Sequence, residues 1–127
     1  MESTYRRILE TERPEYEPVI VNSPLQVTKA LILEKKIDGF MCCDDAEAIR
    51  VAGRLRSEGI AVPGDIAIVG YGNSDLARYV TPGITSVDCH AQEMAQKMFE
   101  ILSAGLSGQD IRLSQYVIQP ELVIRET

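Results

Sequence analysis

The pattern of apolar and polar positions predicts a strand, a helix and a second strand in the middle of the chain. Residues 37–43 form an apolar run of strand length, and residues 46–57 carry apolar side chains at helical spacing. After a turn at 62–65, residues 66–73 form another apolar run that ends in small and polar side chains. Such runs are typical of strands covered on both faces, as in parallel sheets, and the helix between them makes the connection a right-handed crossover.

The flanking segments continue this alternation of helices and strands. Before the central unit, spacing and cap residues predict a helix over 3–12, a strand over 16–22 and a helix over 23–36 with a Ser-Pro start. After it, they predict a short helix over 74–79, a strand over 84–88 and an amphipathic helix over 91–104 stopped by Gly105. Two further strands are predicted over 111–118 and 122–124. Pro120 restricts the last pair to a sheet edge or a bend. The predicted fold class is α/β: an open, mostly parallel sheet with helices on both faces.

Polar residues follow the two central strands at the point where each strand ends. Asp44 and Asp45 end the first run, and Gly72 and Asn73 end the second. In parallel strands these ends lie at one edge of the sheet, which is where open α/β sheets bind ligands. The alternative is that an aspartate caps the following helix, because Asp44 and Glu47 match a capping box. Capping explains only one of the two aspartate carboxylates and leaves the other unexplained. A further alternative is that these polar residues form a sheet edge that faces water and binds no ligand.

Composition and charge limit the classes of function that this chain can have. The chain has 127 residues, a formal charge of −6 and 45% hydrophobic residues, so it can bury a core. No cluster of Lys and Arg is present, which argues against direct binding of a nucleic-acid backbone. Cys42 and Cys43 are adjacent in a predicted strand and point to opposite faces, so with Cys89 they indicate small buried side chains in a reducing compartment rather than a metal site. Without a signal peptide or membrane span, a cytoplasmic protein is expected.

Catalysis has little support in the sequence. The single histidine, His90, lies at a predicted helix start, where capping or a polar rim position is favoured over a general base. No serine elbow, glycine-rich phosphate loop or metal-ligand spacing occurs, and Gly70-Tyr71-Gly72 lacks the third glycine of a dinucleotide motif. We therefore expect no enzymatic activity, no catalytic residue, no metal and no cofactor.

An ordered series of stretches resembles one known family. These stretches are residues 38–45, 59–71 with Val62-Pro63-Gly64-Asp65, Leu76-Ala77-Arg78-Tyr79, 81–87, and the closing 120–125. From residue 37 to residue 126 they resemble the effector-binding core of LacI/GalR transcriptional regulators. The resemblance implies a two-lobed, periplasmic-binding-protein-like sensor that dimerises and is joined to an N-terminal helix-turn-helix.

The resemblance also implies how this chain relates to a whole regulator. Residues 1–127 would form a partial effector-binding and dimerisation domain, mainly the C-terminal lobe, with 91–115 derived from the N-terminal lobe. The helix-turn-helix is absent, so operator DNA would be bound only through that missing domain. The expected partners are a small polar effector, sugar-like or nucleobase-like, and a second copy in a homodimer. The stripe of Met94, Met98 and Leu102 should then be exposed.

Four positions match effector contacts of the family. Asp44 matches a polar position that contacts the effector, and Arg7 matches an arginine that does the same. Gly72 stands where the family usually has an acidic sugar-binding residue, and this departure argues against a typical sugar. Asn73 is expected to take over part of that role.

The resemblance further assigns dimer contacts. They lie on the helix that starts at Asp44 and on residues 74–79, and Ile49 and Tyr79 are the expected interface residues. A solute-binding protein of the same fold, periplasmic or surface-attached and feeding a transporter, is the alternative function. The missing signal peptide and the cysteines disfavour that alternative.

Overall fold

A four-stranded sheet lies at the centre of the structure, a computed structural model that describes residues 2–109 and 116–127. Its strands lie side by side in chain order: β1 (Gly39–Met41), β2 (Ala67–Tyr71), β3 (Thr85–Asp88) and β4 (Glu121–Val123). The first three strands are parallel, and β4 pairs antiparallel with β3 at the edge of the sheet. The predicted open, mostly parallel α/β sheet is confirmed, and so is the edge position of the strand after Pro120.

The described part of the chain contains five α-helices: α1 (Glu2–Glu12), α2 (Lys29–Lys35), α3 (Asp45–Ser57), α4 (Asp75–Tyr79) and α5 (Ala91–Leu106). The crossover helix α3 begins where predicted, because the Asp44 carboxylate accepts a hydrogen bond from the backbone N–H of Glu47 at 2.7 Å. Gly59 follows the helix with φ +73°, a left-handed conformation that favours glycine and turns the chain towards β2.

The buried core connects the crossover helix to the sheet. Leu55 of α3, Ile68 of β2 and Ala77 of α4 are fully buried, and Ile66 and Ile84 are 1% exposed. Burying a large aliphatic side chain stabilises a fold by about 1.5 to 3 kcal/mol. This cluster therefore fixes the strand ends on which the polar residues lie.

Two predictions for the N-terminal third are wrong. Residues 16–22 form no strand, and Pro18, which has no N–H to donate to a strand ladder, lies within them. The helix predicted over 23–36 is interrupted: a 3-10 turn covers Pro24–Gln26 and α2 starts only at Lys29. The reason is Thr28, whose hydroxyl accepts from the N–H of Leu31 and caps a new helix.

The C-terminal third agrees with the sequence in part. Helix α5 runs one residue past Gly105, and the left-handed glycine after it is Gly108. The stripe of Met94, Met98 and Leu102 is 43%, 57% and 63% exposed, as predicted. The predicted strand over 111–118 falls largely outside the described residues, and 116–118 are not in a strand. Within the described residues, no helix is long and apolar enough to cross a membrane.

Candidate functional site

The carboxyl ends of three parallel strands form one polar rim. Asp44 and Asp45 follow β1, Gly72 and Asn73 follow β2, and Asp88 ends β3. The parallel register pairs Met41 with Val69 and Tyr71 with Val87, so these ends point the same way. The predicted arrangement of the two central strands is confirmed.

Asp45 fastens the start of α3 to this rim. Its side chain is 2% exposed, and its two carboxylate oxygens accept hydrogen bonds from the Ser86 hydroxyl at 2.5 Å and from the Ser74 N–H at 2.6 Å. Gly70 of β2 lies against the same carboxylate, and a Cβ at position 70 would collide with Oδ1 of Asp45. The second carboxylate, which capping does not explain, is therefore a structural anchor of the rim.

Asn73 is hydrogen-bonded through both its backbone and its side chain. Its backbone has φ +49°, a left-handed conformation, and its N–H donates to the hydroxyl of Ser86 at 3.0 Å. Its amide group lies between two charged groups: Nδ2 donates to Asp88 at 2.8 Å, and Oδ1 accepts from the guanidinium of Arg125. Since a guanidinium only donates and a carboxylate accepts, this chemistry fixes which way the amide points.

Asp88 accepts two hydrogen bonds, one on each carboxylate oxygen. Oδ2 binds the Asn73 amide, and Oδ1 accepts from the backbone N–H of His90 at 2.7 Å. The pKa of the Asp88 carboxyl is lowered, chiefly by the Asn73 side chain and then by the His90 amide, while partial desolvation opposes the shift. The rim therefore carries an ionised carboxylate at neutral pH.

We expect the stability contributed by Asp88 to depend on pH. A carboxyl whose folded-state pKa is depressed stabilises the fold above its ordinary pKa of about 3.9, and this contribution is lost as the pH falls through the folded-state value. Asp88→Asn should lower the urea midpoint at pH 7, and the difference from wild type should shrink below about pH 4. The exposed Asp38→Asn serves as the control. A difference that stays constant down to pH 2 would contradict this account of Asp88.

A cavity of about 470 Å³ opens beside these residues. It is bounded by the ends of β2 and β3 and by the first turns of α5, and its polar lining side chains are Asn73, Asp88, His90, Gln92, Glu93 and Gln96. Gly72 also lines it, with φ +110°, so a larger side chain at that position would be strained. Amides and carboxylates of this kind can hydrogen-bond the hydroxyl and amine groups of a small polar ligand.

The structure brings some of the predicted residues to this cavity and leaves others away from it. Gly72 and Asn73 line it, whereas Asp44 is an exposed helix cap and Arg7 is an exposed residue of α1, and neither lines the cavity. Of the expected dimer residues, Tyr79 is 77% exposed, and Ile49 is half-buried against the core.

Three residues of the rim were missed from the sequence. Asp88 could have been found, because it ends a predicted strand as Asp44 and Asn73 do. Ser86 and Arg125 give no local signal, since they reach the rim from 13 and 52 residues beyond Asn73.

The prediction of small buried cysteines is correct for Cys42 and wrong for Cys43, because β1 ends at Met41 and both residues lie beyond it. Cys42 is buried and Cys43 is exposed, and burial raises the pKa of the Cys42 thiol to about 12. Cys89 is half-buried. Among the described residues no group of three His, Cys, Asp or Glu side chains could hold a metal ion.

Comparison with known proteins identifies relatives along the whole chain. A family model described as the periplasmic binding protein-like domain matches residues 1–127. The HTH-type transcriptional repressor PurR of Vibrio parahaemolyticus is 32% identical over 103 residues, which are 81% of this chain and 31% of that protein. The chain thus spans about a third of the length of this curated relative.

Solved structures with the same fold are also LacI-type regulators. A LacI-type regulator from Bifidobacterium animalis is 30% identical with a TM-score of 0.69, over 76% of this chain and 35% of that one. A LacI family regulator from Arthrobacter, in complex with lactose, is 27% identical with a TM-score of 0.67, over 76% of this chain and 38% of that one. Both the fold and the sequence therefore point to one family.

Proposed function

Because this chain belongs to the periplasmic-binding-protein-like domain family of LacI-type regulators, we propose that it binds a small effector and dimerises within a DNA-binding transcriptional repressor. The chain would supply part of the effector-binding domain, mainly the C-terminal lobe, with 91–115 contributed to the other lobe. Operator DNA would be bound by a helix-turn-helix of the whole regulator, in the cytoplasm. The curated relatives named as repressors favour this function over solute transport.

One observation carries the proposal: the polar rim at the carboxyl ends of the parallel strands opens into a cavity. Asn73 and Asp88 place an amide and a carboxylate at its wall, and His90, the cap residue of α5, also lines it. Ligands of open α/β sheets bind at this edge. The arrangement supports recognition of a ligand. The Ser86 hydroxyl donates to the Asp45 carboxylate but is fully buried, so no enzymatic activity is part of the proposal.

The lining favours an effector with several hydroxyl or amine donors, sugar-like or nucleobase-like. Gly72 removes the carboxylate that the family usually has at this point, and we propose that Asn73 takes over part of its role. The relative from Arthrobacter was solved with lactose, which shows that a neutral sugar fits one member of the family. Asp44 and Arg7 are proposed as further effector contacts on the family resemblance alone.

Calorimetric titration tests the proposal. We expect at least one compound among sugars, nucleosides and amino acids to bind a chain extended to the full length of its relatives. Asn73→Ala should weaken that binding by about tenfold or more, because it leaves the carboxylate of Asp88 without its side-chain donor. Asn22→Ala, at an exposed position distant in sequence from the rim, is the matched control. The proposal would be overturned if no compound binds, or if the Asn73→Ala variant binds with the same affinity as the wild type.

A further inference from the structure

Helix α5 forms one wall of the cavity without being held by the core. None of its described residues is buried. Of its six large apolar side chains, Ile101 is half-buried and the other five are exposed: Met94, Met98, Phe99, Leu102 and Leu106. The side chain of His90, at its cap position, makes no capping hydrogen bond. Packing therefore gives no account of how the start of α5 is placed against the sheet.

The backbone at the start of α5 needs a specific contact. His90 has φ +51°, a left-handed conformation that residues other than glycine keep only when their surroundings hold it. Two contacts with Asp88 are present: the His90 N–H donates to Oδ1 of Asp88, and Nδ1 of the His90 ring lies 4.0 Å from the same oxygen. A bond from an amide to an ionised carboxylate is stronger than one between neutral groups.

The orientation of Asp88 is in turn set from two other segments. Asn73 donates to its second oxygen, and Arg125, just beyond β4, donates to the carbonyl of the Asn73 amide. Arg125 is itself held, because its guanidinium donates to the carbonyl of Ile84 at 2.6 Å and its backbone N–H donates to the hydroxyl of Thr85 at 2.9 Å. A continuous series of hydrogen bonds thus runs from the edge of the sheet to His90, the cap residue of α5.

We propose that Asp88 is the positioning residue that fixes the start of α5 against the sheet, and that Asn73 and Arg125 keep it oriented for this role. Because Asn73, Asp88 and His90 also line the cavity, a ligand that donates a hydrogen bond to Asp88 would share this carboxylate with the His90 N–H that holds α5. This consequence for a ligand rests on the proposed function; the positioning role does not.

Amide hydrogen exchange of the ligand-free chain, followed by NMR, tests the positioning role. Asp88→Ala should speed exchange at the His90 amide by about tenfold or more, since its charged acceptor is lost. The Met94 amide, which donates to the carbonyl of His90, should follow, while Leu55 and Ile68 in the core should not change. The control is Asp65→Ala, which removes a distant carboxylate that also accepts a backbone N–H.

Variants of Arg125 test whether the orientation of Asp88, and not only the stability of its surroundings, protects the His90 amide. Arg125→Met should speed exchange at His90 and shift the side-chain amide resonances of Asn73, and Arg125→Lys should restore part of both, because lysine keeps a charged donor. If Asp88→Ala does not fold, Asp88→Asn replaces it, and its expected effect is the same in direction.

Two results would overturn the proposal. One is a His90 amide that is already unprotected in the wild type, and the other is unchanged exchange at His90 in the Asp88 variants. Neither result touches effector binding, which is measured in the separate titration with Asn73→Ala, so the failure of one proposal is distinguishable from the failure of the other.

Discussion

Replacing Asp45 with alanine is expected to destabilise the fold by about 3 kcal/mol or more, because the change removes one partner from a buried polar network. The side chain is 2% exposed and accepts from both Ser86 and Ser74. Ser86 is fully buried, so its hydroxyl would lose its acceptor without gaining water. Urea denaturation followed by circular dichroism measures the loss as a lower midpoint.

The neighbouring carboxylate provides the matched control. Asp44 is exposed and caps α3 through one hydrogen bond, so Asp44→Ala should cost only about 1 kcal/mol. Asp45→Asn keeps the volume and one acceptor, and its cost should fall between the two. A larger loss in the Asp44 variant than in the Asp45 variant would mean that the anchor of the rim has been misassigned.

Replacing Tyr79 with aspartate is expected to convert the proposed homodimer into a monomer. Tyr79 is 77% exposed at the end of α4, so its ring is available to a partner and contributes little to the fold of its own chain. An aromatic residue at the centre of an interface contributes about 2 kcal/mol or more, which corresponds to a rise of about 30-fold or more in Kd. Sedimentation velocity over a range of concentrations measures the change.

Two comparisons make the dimer experiment decisive. Tyr16→Asp introduces the same charge at another exposed tyrosine, outside the proposed interface, and should leave the dimer intact. Ile49→Asp is less informative, because Ile49 packs partly against the core and its loss would also destabilise the chain. A wild type that stays monomeric at high concentration, or a Tyr79 variant that dimerises normally, would refute the interface.

The central strand-helix-strand unit could be predicted because its signals are local. Apolar runs define β1 and β2, the helix cap at Asp44 starts α3, and Gly59 follows its end. The prediction of a strand over 16–22 was wrong, because an apolar run forms a strand only if a neighbouring strand pairs with it. The start of α2 shows a related limit. Ser23 and Thr28 can each cap a helix, and the sequence alone does not show which of them starts it.

The site could be predicted only as far as strand ends determine it. The rim position of Asn73 followed from the parallel arrangement, and the structure confirmed that arrangement. The buried role of Asp45 depends on Ser86, 41 residues away, and the orientation of Asn73 depends on Arg125, 52 residues away. Such contacts form only after folding, so no local sequence pattern predicts them.

The central claim is that the carboxyl ends of the parallel strands hold the effector. The most direct test is to add the sugars and nucleosides to an isotope-labelled chain, extended to the length of its relatives, and to map the amide resonances that shift. We predict that the shifts concentrate at Gly72, Asn73, Asp88 and His90. Shifts confined to the smaller cavity of about 200 Å³ that Ile60 and Pro82 help to line would contradict the claim.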